Sequence, residues 1–136
     1  MTTCLPRKSA KAQTLYFETP PFSTNAIWRS VNGRNIKSRE YREWQKATGD
    51  ELEAQTPPCV PGAISVRIKL SKKCRLDADN PIKSYLDLLT AHGVIEGDSK
   101  RFLKHVECEH SELETTQIQI ISTTGGRELV QGAGNE

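Results

Sequence analysis

The chain has 136 residues, 35% of them hydrophobic and 26% charged, which is typical of one soluble globular domain and excludes a disordered chain. No apolar run approaches the roughly 20 residues of a membrane span, and the basic start of the chain lacks the apolar segment of a secretory signal. The net charge of +2 combines a basic half, with 14 Lys/Arg and 6 Asp/Glu in residues 1–75, and an acidic half, with 5 and 11 in residues 76–136. This asymmetry favours a basic surface for a polyanion beside an acidic cluster, although solvated faces that mix on folding give the same composition.

The first predicted strand follows a loose basic leader at residues 1–13. Residues 14–18 (TLYFE) alternate apolar and polar side chains as a strand does. The prolines of "TPPFSTNAIWR" break regular structure, and Trp28 is expected to anchor this loop.

A helix is predicted after a turn at Asn32-Gly33, which is a strong turn dipeptide. Ser38 is a suitable N-cap for this helix. Its apolar side carries three large residues: Tyr41, Trp44 and Leu52.

The strongest strand signal lies at residues 63–70, where apolar and polar residues alternate. A second helix is predicted from Pro81, capped by Asp79 or Asn80 and stopped by Gly93. Its apolar stripe has helical spacing and contains Ile82, Tyr85, Leu86 and Leu89.

Two further strands are predicted, at residues 101–109 and 115–121, before a polar, Gly-rich tail at 122–136 that is expected to be partly mobile. The order strand, helix, strand, helix, strand, strand predicts an α/β (α+β) fold. We expect a single domain at residues 14–121, with two main helices on a mixed sheet.

Two aspartates, Asp77 and Asp79, lie at the end of the alternating strand and can project to the same side. Two close carboxylates repel unless a cation lies between them, and oxygen ligands select Mg²⁺ or Mn²⁺. Lys83, four residues after Asp79, can reach the same place. A metal, carboxylates and a lysine suit phosphodiester hydrolysis. The alternative is that Asp79 only caps the helix and Asp77 is a surface charge.

Asp98 is the candidate for a third metal ligand. The helix at residues 81–92 is about 18 Å long, and the segment from Gly93 to Asp98 spans roughly 17 Å when extended. The chain can therefore return Asp98 to the start of the helix. Glu96 and Asp87 are competing acids, and Asp87 is expected to be a solvated helix residue.

The four cysteines are widely scattered, and none has the C-x₂-C spacing of a zinc site. We expect free thiols in a reducing cytoplasm. Cys108 and His110 are a weak alternative pair of metal ligands.

The motif "DADNPIK" at residues 77–83, followed by "LDLLTAHGVIEGD" ending at Asp98, resembles the RusA family of Holliday-junction resolvases. That family has D-x-D-N-x-x-K before a helix and a further aspartate about twenty residues later. "PPFSTNAIWR" is similar to the Pro-Pro-Ser-x-Asn turn of the family, with Phe22 interposed. The likeness covers roughly residues 14–121.

The resemblance implies a cytoplasmic, nucleoid-associated protein of bacterial or phage type. It implies a homodimer that binds four-way DNA junctions and nicks two strands with Mg²⁺ (or Mn²⁺). Asp77, Asp79 and Asp98 match the metal ligands of the family, and Lys83 matches its active-site lysine.

The basic run "RIKLSKKCR" directly precedes the acids and would attract the phosphates that three acids alone would repel. The candidate DNA-binding residues lie in this run and at the Asn-Gly turn: Arg34, Lys37, Arg67, Lys69, Lys72, Lys73 and Arg75. Two alternatives stay open, a junction-binding protein without catalysis and a nuclease acting on other branched DNA or on RNA.

Overall fold

Eight elements follow one another in a computed structural model of the chain, which describes residues 8–23 and 26–123. They are β1 (Ala12–Phe17), β2 (Trp28–Val31), β3 (Arg34–Lys37), α1 (Arg39–Ala54), β4 (Ile64–Leu70), α2 (Ile82–Ala91), β5 (Leu103–His110) and β6 (Thr116–Ser122). The predicted α+β class is confirmed. Most of the tail expected to be mobile lies outside the described residues. Within those residues, neither helix is long and apolar enough to cross a membrane.

The main sheet has the strand order β1-β6-β4-β5. β6 is antiparallel to both of its neighbours, whereas β4 and β5 are parallel. The alternation predicted at residues 63–70 is confirmed, because every second side chain of β4 is buried: Ile64, Val66, Ile68 and Leu70. Asp77 and Asp79 were expected at the end of this strand, but β4 ends at Leu70, and both aspartates lie in the loop and turn that connect it to α2.

An aromatic cluster joins the two helices to the sheet. Trp44 of α1 packs edge-on against Tyr85 of α2, with ring centroids 5.5 Å apart. The Trp44 indole N–H donates a hydrogen bond to the Pro20 carbonyl at 2.7 Å. Trp44, rather than Trp28, therefore anchors the proline loop. The expectation for Trp28 is wrong, since 56% of this residue is exposed.

Helix α1 begins as predicted, with Ser38 at the N-cap accepting a hydrogen bond from the Tyr41 N–H at 3.1 Å. Helix α2 does not begin as predicted. Its N-cap is Pro81, and no side chain caps it. The reason lies in the preceding turn, where the Asn80 N–H donates to the Asp77 carbonyl at 3.0 Å, so that the helix starts only at Ile82.

The predicted leader is held in place over its described part. Residues 8–10 pair with Cys59, because the Cys59 N–H donates to the Lys8 carbonyl and the Ala10 N–H donates to the Cys59 carbonyl, both at 2.8 Å. β1 then begins at Ala12, two residues before the predicted strand. The sequence predicts a loose leader, whereas residues 8–10 are hydrogen-bonded to Cys59 in the fold.

The edge strand β1 is covered near its end by side chains from α1 and from its C-cap residue, Gln55. The Tyr16 N–H donates to Gln55 Oε1 at 2.9 Å, and Gln55 Nε2 donates to the Tyr16 carbonyl at 2.6 Å. Glu51 accepts hydrogen bonds from the N–H groups of Glu18 and Thr19 at 3.2–3.3 Å. These side chains satisfy backbone groups that a neighbouring strand would otherwise pair.

Candidate functional site

Lys83 lies between two carboxylates in the first turn of α2. Its Nζ is 3.0 Å from Asp98 Oδ2 and 3.2 Å from Asp87 Oδ1. The side chains are partly exposed, 56% for Lys83, 29% for Asp98 and 39% for Asp87. The hydrogen bond to Asp98, followed by that to Asp87, raises the pKa of Lys83, so that the ammonium is charged at neutral pH.

Asp98 reaches this position because the chain turns back sharply after α2. Gly93 has a φ of +74°, which L-residues with side chains rarely adopt, and it ends the helix. The segment that follows is fixed by Val94 and Ile95, which are both buried. The return of Asp98 to the start of α2 agrees with the chain-length argument from the sequence.

The other two predicted ligands do not join this cluster. Asp77 and Asp79 are exposed in the turn before α2, and among the described residues neither carboxylate has a hydrogen bond or ion pair. Neither is among the charges that shift the pKa of Lys83. Asp79 instead contributes, after burial and Cys74, to raising the pKa of Cys108 on β5 to about 12. Asp79 therefore lies towards β5.

The arrangement is not a complete metal site. Within the described residues, no group of three or more His, Cys, Asp or Glu side chains is placed to hold a metal ion, which also applies to Cys108 and His110. The ammonium of Lys83 is the cation at Asp98. In the described part of the chain, Cys74 and Cys108 are free thiols.

Sequence reasoning missed two groups beside Lys83. Asp87 was expected to be solvated, and the missed signal is its spacing of four residues from Lys83 on one helix face. The Tyr41 hydroxyl is buried without a hydrogen-bond partner among the described residues. Burial raises the pKa of Tyr41, to which the Asp87 charge adds, while Lys83 lowers it. A phenol group that lacks a partner thus lies close to the charged pair.

The proline loop also borders this cluster. The Ser84 hydroxyl of α2 donates a hydrogen bond to the Phe22 carbonyl at 3.1 Å. The Phe22 ring packs against Tyr41, with centroids 5.3 Å apart. Phe22 of the proline motif therefore contacts Ser84, the residue directly after the D-x-D-N-x-x-K motif and 62 positions further along the sequence.

The cations of the basic run are largely paired with local acids. Arg67 on β4 pairs with Glu107 on β5. Lys72 and Lys73 approach Glu114, at 2.7 and 3.9 Å, and the hydrogen bond to Glu114 raises the pKa of Lys72. Lys69 and Arg75 make no ion pair within the described residues. Only part of the predicted positive surface is therefore unneutralised.

The predicted cations at the Asn-Gly turn lie in a different environment. Arg34 and Lys37 are both exposed on β3, and neither pairs with a described carboxylate. The Lys37 ammonium lies 5.8 Å from the centroid of the Tyr41 ring. Lys37 therefore lies at the Tyr41 ring, on whose hydroxyl the charges of Asp87 and Lys83 also act, whereas Arg34 lies at the turn end of the hairpin.

A cavity of about 330 Å³ opens between the proline loop and the ends of β4 and β6. Its lining includes Pro21, Lys73 and Cys74, but not Lys83 or Asp98. The charged cluster itself lies on partly exposed surface. This position suits the backbone of a macromolecule better than an enclosed small molecule.

No protein-family model matches this chain, and no curated protein matches its sequence. The likeness to the RusA family therefore consists of short motifs and their spacing. A function drawn from that likeness is a proposal.

Proposed function

We propose that this protein is a metal-dependent endodeoxyribonuclease that resolves four-way DNA junctions by paired symmetric nicks, as the RusA resemblance implies. The observation that carries the proposal is the contact between Lys83 and Asp98, two motif residues fifteen positions apart. A lysine held by acids on open surface, beside exposed cations, is an arrangement suited to a phosphodiester. Such a protein would act in the cytoplasm, at the nucleoid.

Lys83 is proposed to neutralise charge that develops on the phosphate. Its raised pKa keeps it cationic throughout the range in which DNA is handled. Mg²⁺, or Mn²⁺, is the proposed cofactor, with Asp77, Asp79 and Asp98 as its ligands. Asp77 and Asp79 do not join the pair formed by Lys83 and Asp98 in the described arrangement, so the three ligands would have to approach one another to hold the ion.

The proposed partner is four-way junction DNA, and the proposed assembly is a homodimer. A junction has approximate two-fold symmetry, and its resolution requires two nicks on strands that this symmetry relates. The sequence has one candidate acidic cluster and no internal repeat, so two copies related by a two-fold axis supply the second site.

A junction-binding protein without catalysis is the second candidate. It is favoured by one observation: the described acids do not form a group of metal ligands, and a lysine neutralises Asp98. A nuclease specific for other branched DNA or for RNA uses the same chemistry and differs only in substrate.

The test is a cleavage assay on four-way, flap, duplex and RNA substrates, each with and without Mg²⁺. We expect Mg²⁺-dependent cutting of the four-way substrate, abolished by D77N, D79N or D98N while binding is kept. Asp50→Asn, an exposed acid on α1 that pairs with Lys46, is the matched control and should cut normally. Near-normal cutting by D79N contradicts the assignment, and binding without cutting by the wild type selects the second candidate.

The dimer is tested on a supercoiled plasmid that carries an extruded cruciform. Paired nicks within one complex give linear product directly, whereas independent nicks accumulate the nicked circle first. Sedimentation of the free protein provides a second measurement. A 15.2 kDa species together with early nicked circle rules out the dimer.

A further inference from the structure

β2 and β3 form a hairpin that belongs to neither the main sheet nor the helical layer. The two strands pair only with each other, in a separate two-stranded sheet closed by the Asn32-Gly33 turn. All of their residues are exposed except Val31, which is half-buried. A ribbon exposed on both faces is not held in shape by packing against the core. Its base, however, is fixed, because the Ser38 N–H donates to the Ile27 carbonyl at 2.8 Å.

The hairpin is strongly and uniformly cationic. It and the first residue of α1 carry four cations, and the sequence has no acid between Glu18 and Glu40. The cations are Arg29, Arg34, Lys37 and Arg39. Within the described residues none of them makes an ion pair, whereas three of the five cations in the basic run at residues 67–75 do. The hairpin is therefore complementary in charge to a polyanion.

An aromatic ring is exposed among these cations. Trp28 is 56% exposed, in contrast to Trp44, which is 6% exposed and part of the core. In the hairpin register Trp28 lies directly opposite Lys37. Lys37 in turn approaches the Tyr41 ring, which borders the pair formed by Lys83 and Asp87. Through Lys37, the exposed Trp28 side chain is thus linked to the edge of the candidate site.

We propose that the β2–β3 hairpin is a nucleic-acid-binding arm, whose cations contact phosphates and whose Trp28 stacks on a base exposed at a branch point. A two-stranded ribbon fits a DNA major groove, and an aromatic face stacks on any unpaired base. This inference rests on the proposed function for its substrate, branched DNA. It assigns to Trp28 a role that the sequence motif does not include.

The first test measures binding to a four-way junction and to an intact duplex in EDTA, where no cleavage occurs. We expect Trp28→Ala to weaken junction binding by about 5- to 100-fold, since base stacking on one aromatic side chain contributes that much. Trp28→Phe should retain most of the affinity. The matched control is Tyr16→Ala, because Tyr16 is 52% exposed but lies on the main sheet.

Binding to the intact duplex distinguishes base stacking from a general contribution of the Trp28 ring to DNA affinity. Bases of an intact duplex are already stacked, so Trp28→Ala should change duplex binding by less than about twofold. Equal losses on both substrates, or no loss on the junction, overturn the stacking assignment. A change of Trp28→Ala from dimer to monomer in sedimentation also overturns it, since the hairpin would then bind a second copy of the chain.

Tryptophan fluorescence gives an independent measurement. The protein has two tryptophans, so the emission of Trp28 is obtained by subtracting the spectrum of Trp28→Phe, which retains Trp44. Junction DNA should quench this difference emission and protect it from iodide. Unchanged emission at saturating DNA contradicts the proposal.

The cations are tested by the salt dependence of binding. Replacing Arg29, Arg34 and Lys37 together with Gln should reduce the slope of log affinity against log salt by about 2–3, since each released phosphate contact contributes roughly 0.9. A control of equal charge replaces three exposed lysines elsewhere: Lys11, Lys46 and Lys104. An equal change of the salt slope in both variants shows that only net charge matters, and it contradicts the proposed binding arm.

These binding results are independent of the cleavage assay. If the proposed nuclease activity is absent but Trp28 is quenched by junction DNA, the hairpin inference holds and the proposed catalysis fails. If cleavage is present and Trp28→Ala binds normally, the proposed function holds and the hairpin inference fails.

Discussion

Replacement of Lys83 with Met keeps the side chain long and removes the ammonium that lies between Asp87 and Asp98. Both contacts are short, 3.0 and 3.2 Å, but all three side chains are partly exposed. Solvent therefore screens them, and each such pair contributes about 0.2–1 kcal/mol. We expect Lys83→Met to lower the free energy of unfolding by roughly 0.5–2 kcal/mol, including the repulsion of the two acids that remain.

The assay is thermal or urea unfolding of the variant beside a matched control. Lys46→Met removes an ammonium that pairs with Asp50 at the same helical spacing, but at 3.5 Å and with 80% and 73% of the side chains exposed. Its loss should be under about 0.5 kcal/mol. Because the pKa of Lys83 is raised above its ordinary value of 10.5, its contribution is complete below that pH and is lost as the pH rises through the raised value. The difference between Lys83→Met and the wild type should therefore be constant from about pH 6 to 9.

Two further properties should change in opposite directions. Mn²⁺ binding, measured by electron paramagnetic resonance without DNA, should become about 2- to 5-fold tighter in Lys83→Met, because a competing cation is removed from Asp98. Cleavage should fall by at least about tenfold, because the cation facing the phosphate is lost. Wild-type stability together with unchanged Mn²⁺ affinity refutes the reasoning, since Lys83 then holds neither acid in solution.

Three other outcomes follow from the contacts described. Ser38→Ala should cost about 1 kcal/mol in unfolding free energy, as loss of an N-cap does, and calorimetry of the purified variant measures it. When thiols are mapped by alkylation and mass spectrometry, Cys108 should react slowly at pH 8, because its pKa is raised to about 12. Asp79→Asn should accelerate the alkylation of Cys108, whereas a distant Asp→Asn exchange should not. Glu114→Gln should free Lys72 and tighten low-salt DNA binding by about 2- to 5-fold, and a salt slope no steeper than that of the wild type would speak against this.

The elements predicted well are those whose signal is local. β4 alternates so regularly that its boundaries and buried face follow from the sequence, and Ser38 caps α1 as its position indicates. The return of Asp98 to the start of α2 also follows, because it depends only on the length of a helix and a short segment.

The remaining features depend on tertiary contacts that no local pattern contains. β2 and β3 are short and exposed on both faces, so they lack the alternation that marks a half-buried strand. The two tryptophans are equivalent in composition, and only the fold buries Trp44 and leaves Trp28 in solvent. Asp87 joins the site because Asp98 arrives on the other side of Lys83, which sequence spacing alone does not reveal.

The side chain of Gln55 has a consequence for how the sheet can be extended. Its amide occupies both the N–H and the carbonyl of Tyr16, so it substitutes for a neighbouring strand at that point on β1. An incoming chain therefore meets a satisfied backbone on this side, while β5 forms the opposite edge of the sheet. A homodimer built by strand addition would join two β5 strands antiparallel across the two-fold axis, and the amide of the α1 C-cap residue disfavours the alternative pairing at Tyr16 of β1.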